Sequence, residues 1–293
     1  MLQFQINVLF LIQFGVGLLL NALVMGWATS KKALRVPDGI LAAFSIGVIL
    51  FTFTPMGWLL MLTFFLSASF LTKYKHHLKE GVQEKFDKGG RRDALQVLAN
   101  SATTLVIAVL IGWYSLPNLI SPLFFGLAAF FASTNADTFS TEVGILAKSD
   151  PRWILNPRRT VEKGTSGGVT LLGTLAGAIG AFEIGIMMFI GTLIFPTPGK
   201  TIIDGLIAIG VITFAGMVGN FFDSLLGATV QGFYYCPTCE LGTEKKIHFK
   251  CGGTKTQKTR GLDIFTNDWV NLIAATIGSL VAIFLGYYLF FRL

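Results

Sequence analysis

Long apolar runs, each ended by a short polar joint or by glycine and proline, recur along the whole chain. They fall near 5–28, 38–54, 56–72, 94–115, 119–136, 168–195, 202–222 and 268–290. Several approach the roughly 20 residues that an α-helix needs to cross about 30 Å of hydrocarbon. The pattern predicts an all-α fold, a polytopic membrane helix bundle of about eight spans, seven to nine at the extremes, with short cytoplasmic loops. Two stretches set that range. Segments 38–54 and 56–72 are parted only by Pro55, which makes a tight hairpin but leaves each span short. Segment 168–195 is too long for one untilted span and carries Glu183 in its middle. It tilts, breaks near Gly180, or forms two pieces, one of them re-entrant. The first run is longer than a signal-peptide core and lacks a basic leader and a small-residue cleavage site, so it reads as a retained span.

Composition sharpens this. With 53% hydrophobic and 13% charged residues, nothing suggests a separate soluble domain, and residues 1–293 read as one integral membrane domain. The net charge of +7 suggests nucleic acid only until the basic residues are located. They cluster at Lys31, Lys32 and Arg35, then within 73–92, 148–163 and 245–260, and the spans alternate so that all four clusters share one side. Only Lys200 and Arg292 fall opposite. By the positive-inside rule the shared side is the cytoplasm, with both termini outside. No nucleic-acid partner is expected; the partner is the lipid bilayer.

The candidate chemistry collects on that same side. Asp137 and Glu142 lie at the inner end of the fifth span, Asp223 at that of the seventh, and Asn267 and Asp268 at the start of the eighth. An acid at the mouth of a span is costly and points to function. Arg92, Gln96 and Asn100 recur every four residues, which puts them on one face of the fourth helix. Gly216, Asn220, Asp223, Gly227 and Gln231 form a similar stripe on the seventh. Either stripe serves a site or interhelical hydrogen bonding. Asp137 and Glu142, five apart, point about 140° from each other on a regular helix. They share an ion only if the helix breaks; otherwise Glu142 serves a basic residue or a second metal. Asn135, Thr138, Ser140 and Thr141 compete for backbone hydrogen bonds and favour the break. Hydroxyls beside carboxylates suit Mg²⁺.

Gly89-Gly90-Arg91-Arg92 precedes the fourth span, and Lys163-Gly164-Thr165-Ser166-Gly167-Gly168 precedes the sixth. The second stretch lacks Walker A spacing, but glycines and hydroxyls entering a helix N-terminus make an anion site. Gly173, Gly177 and Gly180 read as packing surfaces. A further signal stands apart: Cys236-Pro237-Thr238-Cys239, then His248 and Cys251, all in one basic inner loop. Three thiolates and an imidazole suit tetrahedral zinc, so 236–251 reads as a zinc-binding loop insert, although a standard ribbon has a second Cys-x-x-Cys. A disulfide is disfavoured in a reducing cytoplasm.

Five ordered motifs carry a resemblance over nearly the whole chain. They are Lys88-Gly89-Gly90-Arg91-Arg92 through Gln96 to Asn100; Ala136-Asp137-Thr138 with Ser140 and Glu142-Val143-Gly144; Gly164-Thr165 with Gly167-Gly168; Asp223-Ser224-Leu225-Leu226-Gly227-Ala228-Thr229 with Gln231; and Asn267 to Asn271. Together they resemble the integral-membrane family catalogued as domain of unknown function 92, which includes transmembrane protein 19 and plant phytyl-phosphate kinase. The family is distantly similar to CTP-using polyprenol and dolichol kinases and to phosphatidate cytidylyltransferases.

The resemblance implies phosphoryl transfer from a nucleoside triphosphate, CTP more than ATP, to a prenyl alcohol or monophosphate at the cytoplasmic membrane face. It implies Asp137 and Asp223 as Mg²⁺ ligands assisted by Glu142, with Arg91, Arg92 and Lys163 on phosphates. Gly164, Thr165, Gly167, Gly168 and Ser224 would join the phosphate site, while Gln96, Asn100, Asn267 and Asn271 orient ligand or metal shell. The alternatives are a cytidylyltransferase that leaves a CDP-lipid and, third, a lipid or ion transporter, which few polar groups in the outer halves of the spans support. The sequence leaves an oligomer open.

Overall fold

The computed structural model describes residues 8–83, 85–86, 91–114, 120–194 and 202–291. Gly89 and Gly90 of the first basic turn, and Lys200 and Arg292, lie outside the described residues. The long helices are α1 (Val8–Ser30), α2 (Asp38–Phe53) and α3 (Pro55–Lys73), followed by a short α4 (His76–Gln83). Then come α5 (Ala94–Ala99), α6 (Ala102–Tyr114), α7 (Ile120–Gly144), α8 (Leu171–Ile194), α9 (Ile202–Thr229) and α10 (Asn267–Phe291). Among the described residues, α1, α3, α8, α9 and α10 are long and apolar enough to cross a membrane, and α2 and α6 are shorter apolar helices.

Helix α7 holds the centre. Its Leu127, Ala128, Phe130, Phe131, Ala132 and Ala136 are wholly buried, as expected of a helix apolar on every face. It packs against α3, α6, α8, α9 and α10. The outward faces of α1, α8 and α10 carry exposed apolar residues such as Leu23, Leu171, Ile179 and Phe284, the surface that lipid would cover. At the hairpin, Pro55 takes the first helical position of α3, where its missing N–H costs nothing. In the interior, Trp58 Nε1 donates to the buried Asn21 Oδ1 at 3.1 Å and ties α3 to α1.

Three expectations change. The fourth segment is two helices, because Asn100 and Ser101 turn the chain between α5 and α6. The sixth is one unbroken helix whose 24 residues span about 36 Å, so neither the break near Gly180 nor the two-piece alternative occurs. Within it, Glu183 accepts from Asn135 Nδ2 at 3.0 Å, a partner-satisfied core acid. Helices α7 and α9 also run past the predicted ends of their spans, so Asp137 and Asp223 sit inside helices.

The loops at one end carry short strands. Between α7 and α8, β1 (Arg152–Trp153), β2 (Asn156–Thr160) and β3 (Gly168–Val169) form an antiparallel sheet in the order β2-β1-β3. Between α9 and α10, β4 (Phe233–Cys236), β5 (Leu241–Thr243) and β8 (Gln257–Arg260) form a second, ordered β5-β4-β8, while β6 (Ile247–His248) pairs with β7 (Thr254–Lys255). Cross-loop bonds gather these pieces. Arg35 N donates to Arg92 O (2.9 Å), Lys85 Nζ to Glu162 (2.8 Å), Thr243 Oγ1 to Lys85 O (2.9 Å) and Arg260 Nη2 to Ser166 O (2.5 Å). All four basic clusters thus meet at one end of the bundle.

Candidate functional site

Gly227 and Gln231, the latter past the end of α9, meet Ser166 of the glycine-rich turn, whereas Gly216 and Asn220 of the predicted stripe face α7 at Ala132 and Ser140. Asp137 and Asp223 meet there with their carboxyl groups within hydrogen-bonding reach. Beside them, Asn220 Nδ2 donates to Ser140 Oγ at 2.8 Å. From α10, the Asn271 amide is satisfied with its nitrogen toward the acids, donating to Asp223 Oδ2 (2.9 Å) and Asn267 O (3.2 Å). Gly177 lets α8 come this close: a Cβ there would stand 2.8 Å from Asn220 Nδ2.

The predicted break after Asp137 does not occur. Helix α7 continues to Gly144, and its regular twist turns Glu142 away from the pair. Glu142 meets Lys79 of α4 instead, Oε2 to Nζ at 2.7 Å, and the same ammonium donates to Leu71 O at 2.7 Å. The basic-residue alternative for Glu142 is therefore the observed one.

Around the acids lies a cavity of ≈ 500 Å³, within the usual size range of small-ligand sites. Arg92, Gln96, Asn100, Asp137, Glu142, Lys163, Gly164, Thr165, Gly167, Gly168, Asp223, Ser224, Asn267 and Asn271 all line it. Arg91 does not; it is exposed. Arg92 lays its guanidinium over Phe64 and Phe65, 5.1 and 5.7 Å from the ring centroids. Gln96 closes a capping box, accepting from Asp93 N (3.3 Å) while Asp93 Oδ1 accepts from Gln96 N (3.0 Å). Lys163 donates to Ile145 O (3.2 Å) and Ala147 O (2.5 Å), just past the end of α7, where a cation is favoured.

The glycine-rich turn also differs from expectation. It leads into β3 rather than directly into α8, and α8 takes its cap from Thr170, whose Oγ1 accepts from Gly173 N at 3.0 Å. Gly164 and Gly167 are needed for backbone shape, with φ of +81° and +84°. The turn's Ser166 hydroxyl lies 2.8 Å from Gln231 Oε1, and Gln231 Nε2 donates to Glu244 Oε1 at 2.8 Å. This chain links the turn, the end of α9 and the strand loop at the cavity wall.

The family description integral membrane protein DUF92 matches residues 19–279, most of the chain. The chain belongs to the DUF92 family. This DUF92 chain is 31% identical to Protein PGR of Arabidopsis thaliana over 93% of its own length and 96% of that protein. It is 30% identical to an uncharacterized membrane protein of Methanocaldococcus jannaschii, covering 84% of this chain and 83% of that one. Protein VTE6, chloroplastic, of Arabidopsis thaliana is 29% identical over 84% of this chain and 63% of its own. No solved structure matches. As a DUF92 member the chain is an integral, multi-pass membrane protein.

Two residues of this DUF92 chain were not singled out from the sequence: Glu244, which lines the cavity, and Lys79, which pairs with the cavity residue Glu142. Lys79 was one lysine among many in a basic loop, and only its burial distinguishes it. Glu244 carried a signal that could have been used: it is one of two acids, with Glu240, between the cysteine knuckle and Lys245. The loop also brings its four metal-type side chains together. The ligand atoms of Cys236, Cys239, His248 and Cys251 all lie within 4.8 Å of one another, and the cysteines are free thiols.

Proposed function

We propose that this chain is a membrane-embedded phosphotransferase. It moves a phosphoryl group from a nucleoside triphosphate, CTP in preference to ATP, to a prenyl phosphate or prenyl alcohol such as phytyl or geranylgeranyl phosphate. The observation that carries the reading is the Asp137–Asp223 pair in a cavity that opens at the loop end of an apolar bundle. A prenyl tail would lie among the helices while its polar head reaches the acids. The resemblance to phytyl-phosphate kinases supplies the reaction class.

The donor set suits magnesium: two carboxylates and the neighbouring Ser224 hydroxyl are hard oxygen ligands, and the Asn271 amide nitrogen steadies Asp223. When bound, the ion would neutralise charge on the phosphates. The chain's own task is mostly positioning. Arg92 brings positive charge to the cavity wall, and Asn267 and Asn271 orient the acids or the ligand. In the step itself, an acceptor oxygen forms a bond to the γ-phosphorus as the bond to the bridging oxygen breaks, leaving the nucleoside diphosphate. With a prenyl phosphate acceptor that oxygen is already anionic and needs no base. With an alcohol, Asp137 or Asp223 takes the proton. On the positive-inside rule the cavity faces the cytoplasm, with both termini outside.

The test is purified protein with labelled CTP and ATP against phytol, geranylgeraniol and their monophosphates, with Mg²⁺ and with EDTA. Metal-dependent transfer that leaves CDP and a prenyl diphosphate or monophosphate is expected. Pyrophosphate release with a CDP-lipid product would instead identify a cytidylyltransferase, and no transfer from any donor overturns the reading.

A further inference from the structure

The strand loop between α9 and α10 carries a cluster that the cavity chemistry does not use. Cys236 and His248 are buried, and Cys239 and Cys251 half-buried. The His248 ring presents a single nitrogen to two sulfurs: Nδ1 lies 3.2 Å from Cys239 Sγ and 3.2 Å from Cys251 Sγ. A neutral imidazole nitrogen carries at most one hydrogen and can donate to only one of them fully. A cation between the four atoms satisfies all of them at once. Zinc–sulfur bonds of about 2.3 Å and zinc–nitrogen bonds of about 2.1 Å set ligand atoms roughly 3.5–3.8 Å apart in a tetrahedron, close to the observed spacing.

The backbone repeats the same device twice. Cys236-Pro237-Thr238-Cys239 turns between β4 and β5. His248-Phe249-Lys250-Cys251 turns between β6 and β7 with the same spacing. Each closes on a left-handed residue directly after its second ligand, Glu240 at φ +53° and Gly252 at φ +71°. Histidine thus stands where a zinc ribbon has the first cysteine of its second knuckle, which accounts for the departure from a standard ribbon.

We infer that Cys236, Cys239, His248 and Cys251 bind one Zn²⁺ ion that clips the two hairpins together and so holds the intervening segment against the cavity. That segment carries Glu244, whose N–H donates to Lys85 O at 2.9 Å and whose side chain receives Gln231 Nε2. It is tied at the far side by Thr256, which donates to Lys245 O at 2.7 Å. The ion is a fastener, since all four positions are filled by protein ligands and none is left for water or substrate. This inference does not depend on the phosphotransfer reading.

The experiment is metal analysis of detergent-purified protein. One zinc per chain is expected in the wild type, near zero in Cys239→Ser and Cys251→Ser, and retention in His248→Cys, which completes the second Cys-x-x-Cys. Where a serine variant fails to fold, cobalt exchanged into the wild type gives the answer alone, through tetrahedral d–d bands and thiolate charge-transfer absorption. Chelation should raise hydrogen exchange across 233–260 and leave the helices protected. Zinc-free wild type with no cobalt spectrum, or equal zinc in wild type and Cys239→Ser, overturns the site. Unchanged exchange after zinc removal overturns the fastening role.

Discussion

Lys79 and Glu142 form an ion pair enclosed at the loop end of the bundle: Nζ lies 2.7 Å from Oε2, with the lysine side chain 0% and the glutamate side chain 13% exposed. The pair docks α4 onto the last turns of α7. Breaking a buried pair from one side strands a charge and costs about 3–5 kcal/mol, whereas replacing both partners with apolar groups is often neutral. Lys79→Met should therefore lower thermal stability in detergent markedly, and Lys79→Met with Glu142→Met should recover most of the loss. A double variant as unstable as the single one would show that the pair is not what binds α4.

The acids at the α7–α9 contact should matter for ligand rather than for folding. Asp137→Asn and Asp223→Asn keep size and hydrogen bonding while removing charge. Each is expected to lower transfer by at least roughly 10²–10³-fold, the order seen when one preorganised electrostatic group is lost, with little change in melting temperature. Paramagnetic Mn²⁺ binding, as a stand-in for Mg²⁺, should weaken in both. Full Mn²⁺ affinity in both variants would exclude the pair as ligands.

Gly167 is held in a conformation that side chains resist. Its φ is +84°, and an added Cβ would stand 2.5 Å from Ala228 Cβ. Gly167→Ala should cost about 1–3 kcal/mol from backbone strain, with further loss from the clash. Gly26→Ala, inside α1 with nothing within 4 Å of its Cβ, should be neutral or stabilising by up to about 1 kcal/mol. Paired melting curves check both, and a neutral Gly167→Ala would mean the turn is looser than its dihedrals imply.

Deep in the bundle, Asn135 joins three helices. Its Nδ2 donates to Gly180 O (2.9 Å) and Glu183 Oε2 (3.0 Å), and its Oδ1 accepts from Ser67 Oγ (3.1 Å). Asn135→Leu leaves Glu183 without this donor and should cost roughly 2–3 kcal/mol. Adding Glu183→Leu should restore part of it. A single variant with unchanged stability would mean that water satisfies Glu183.

Much of this architecture was legible. Apolar runs of span length fixed the helices, and charge placement put the four basic loops together because a lysine is expensive in lipid wherever it sits. Asp137 and Asp223 stood out for the same reason. What stayed hidden depended on contacts between distant segments. The α5–α6 turn at Asn100 and Ser101 lies in a sequence that reads as continuous helix. Strands of two to five residues leave no periodicity to detect. Lys163, which the resemblance implies as a phosphate contact, lines the cavity and donates to carbonyls beyond the end of α7, a contact that no local pattern reveals. The set Cys236, Cys239, His248 and Cys251 was legible; that His248 and Cys251 repeat the turn of Cys236 and Cys239 was not, because the histidine breaks the written motif while keeping its spacing.

Helix α7 is gripped on every side by other helices, and that confers mechanical inequality on the cavity. Asp137 stands on the most extensively packed of the described helices, while the opposite wall is made of turns and two- to five-residue strands. The part of the wall with the fewest packing neighbours is that roof, over a floor packed on all sides. Compounds shaped to the floor would meet the same surface in every state of the protein, and compounds that reach the roof would report which state they found.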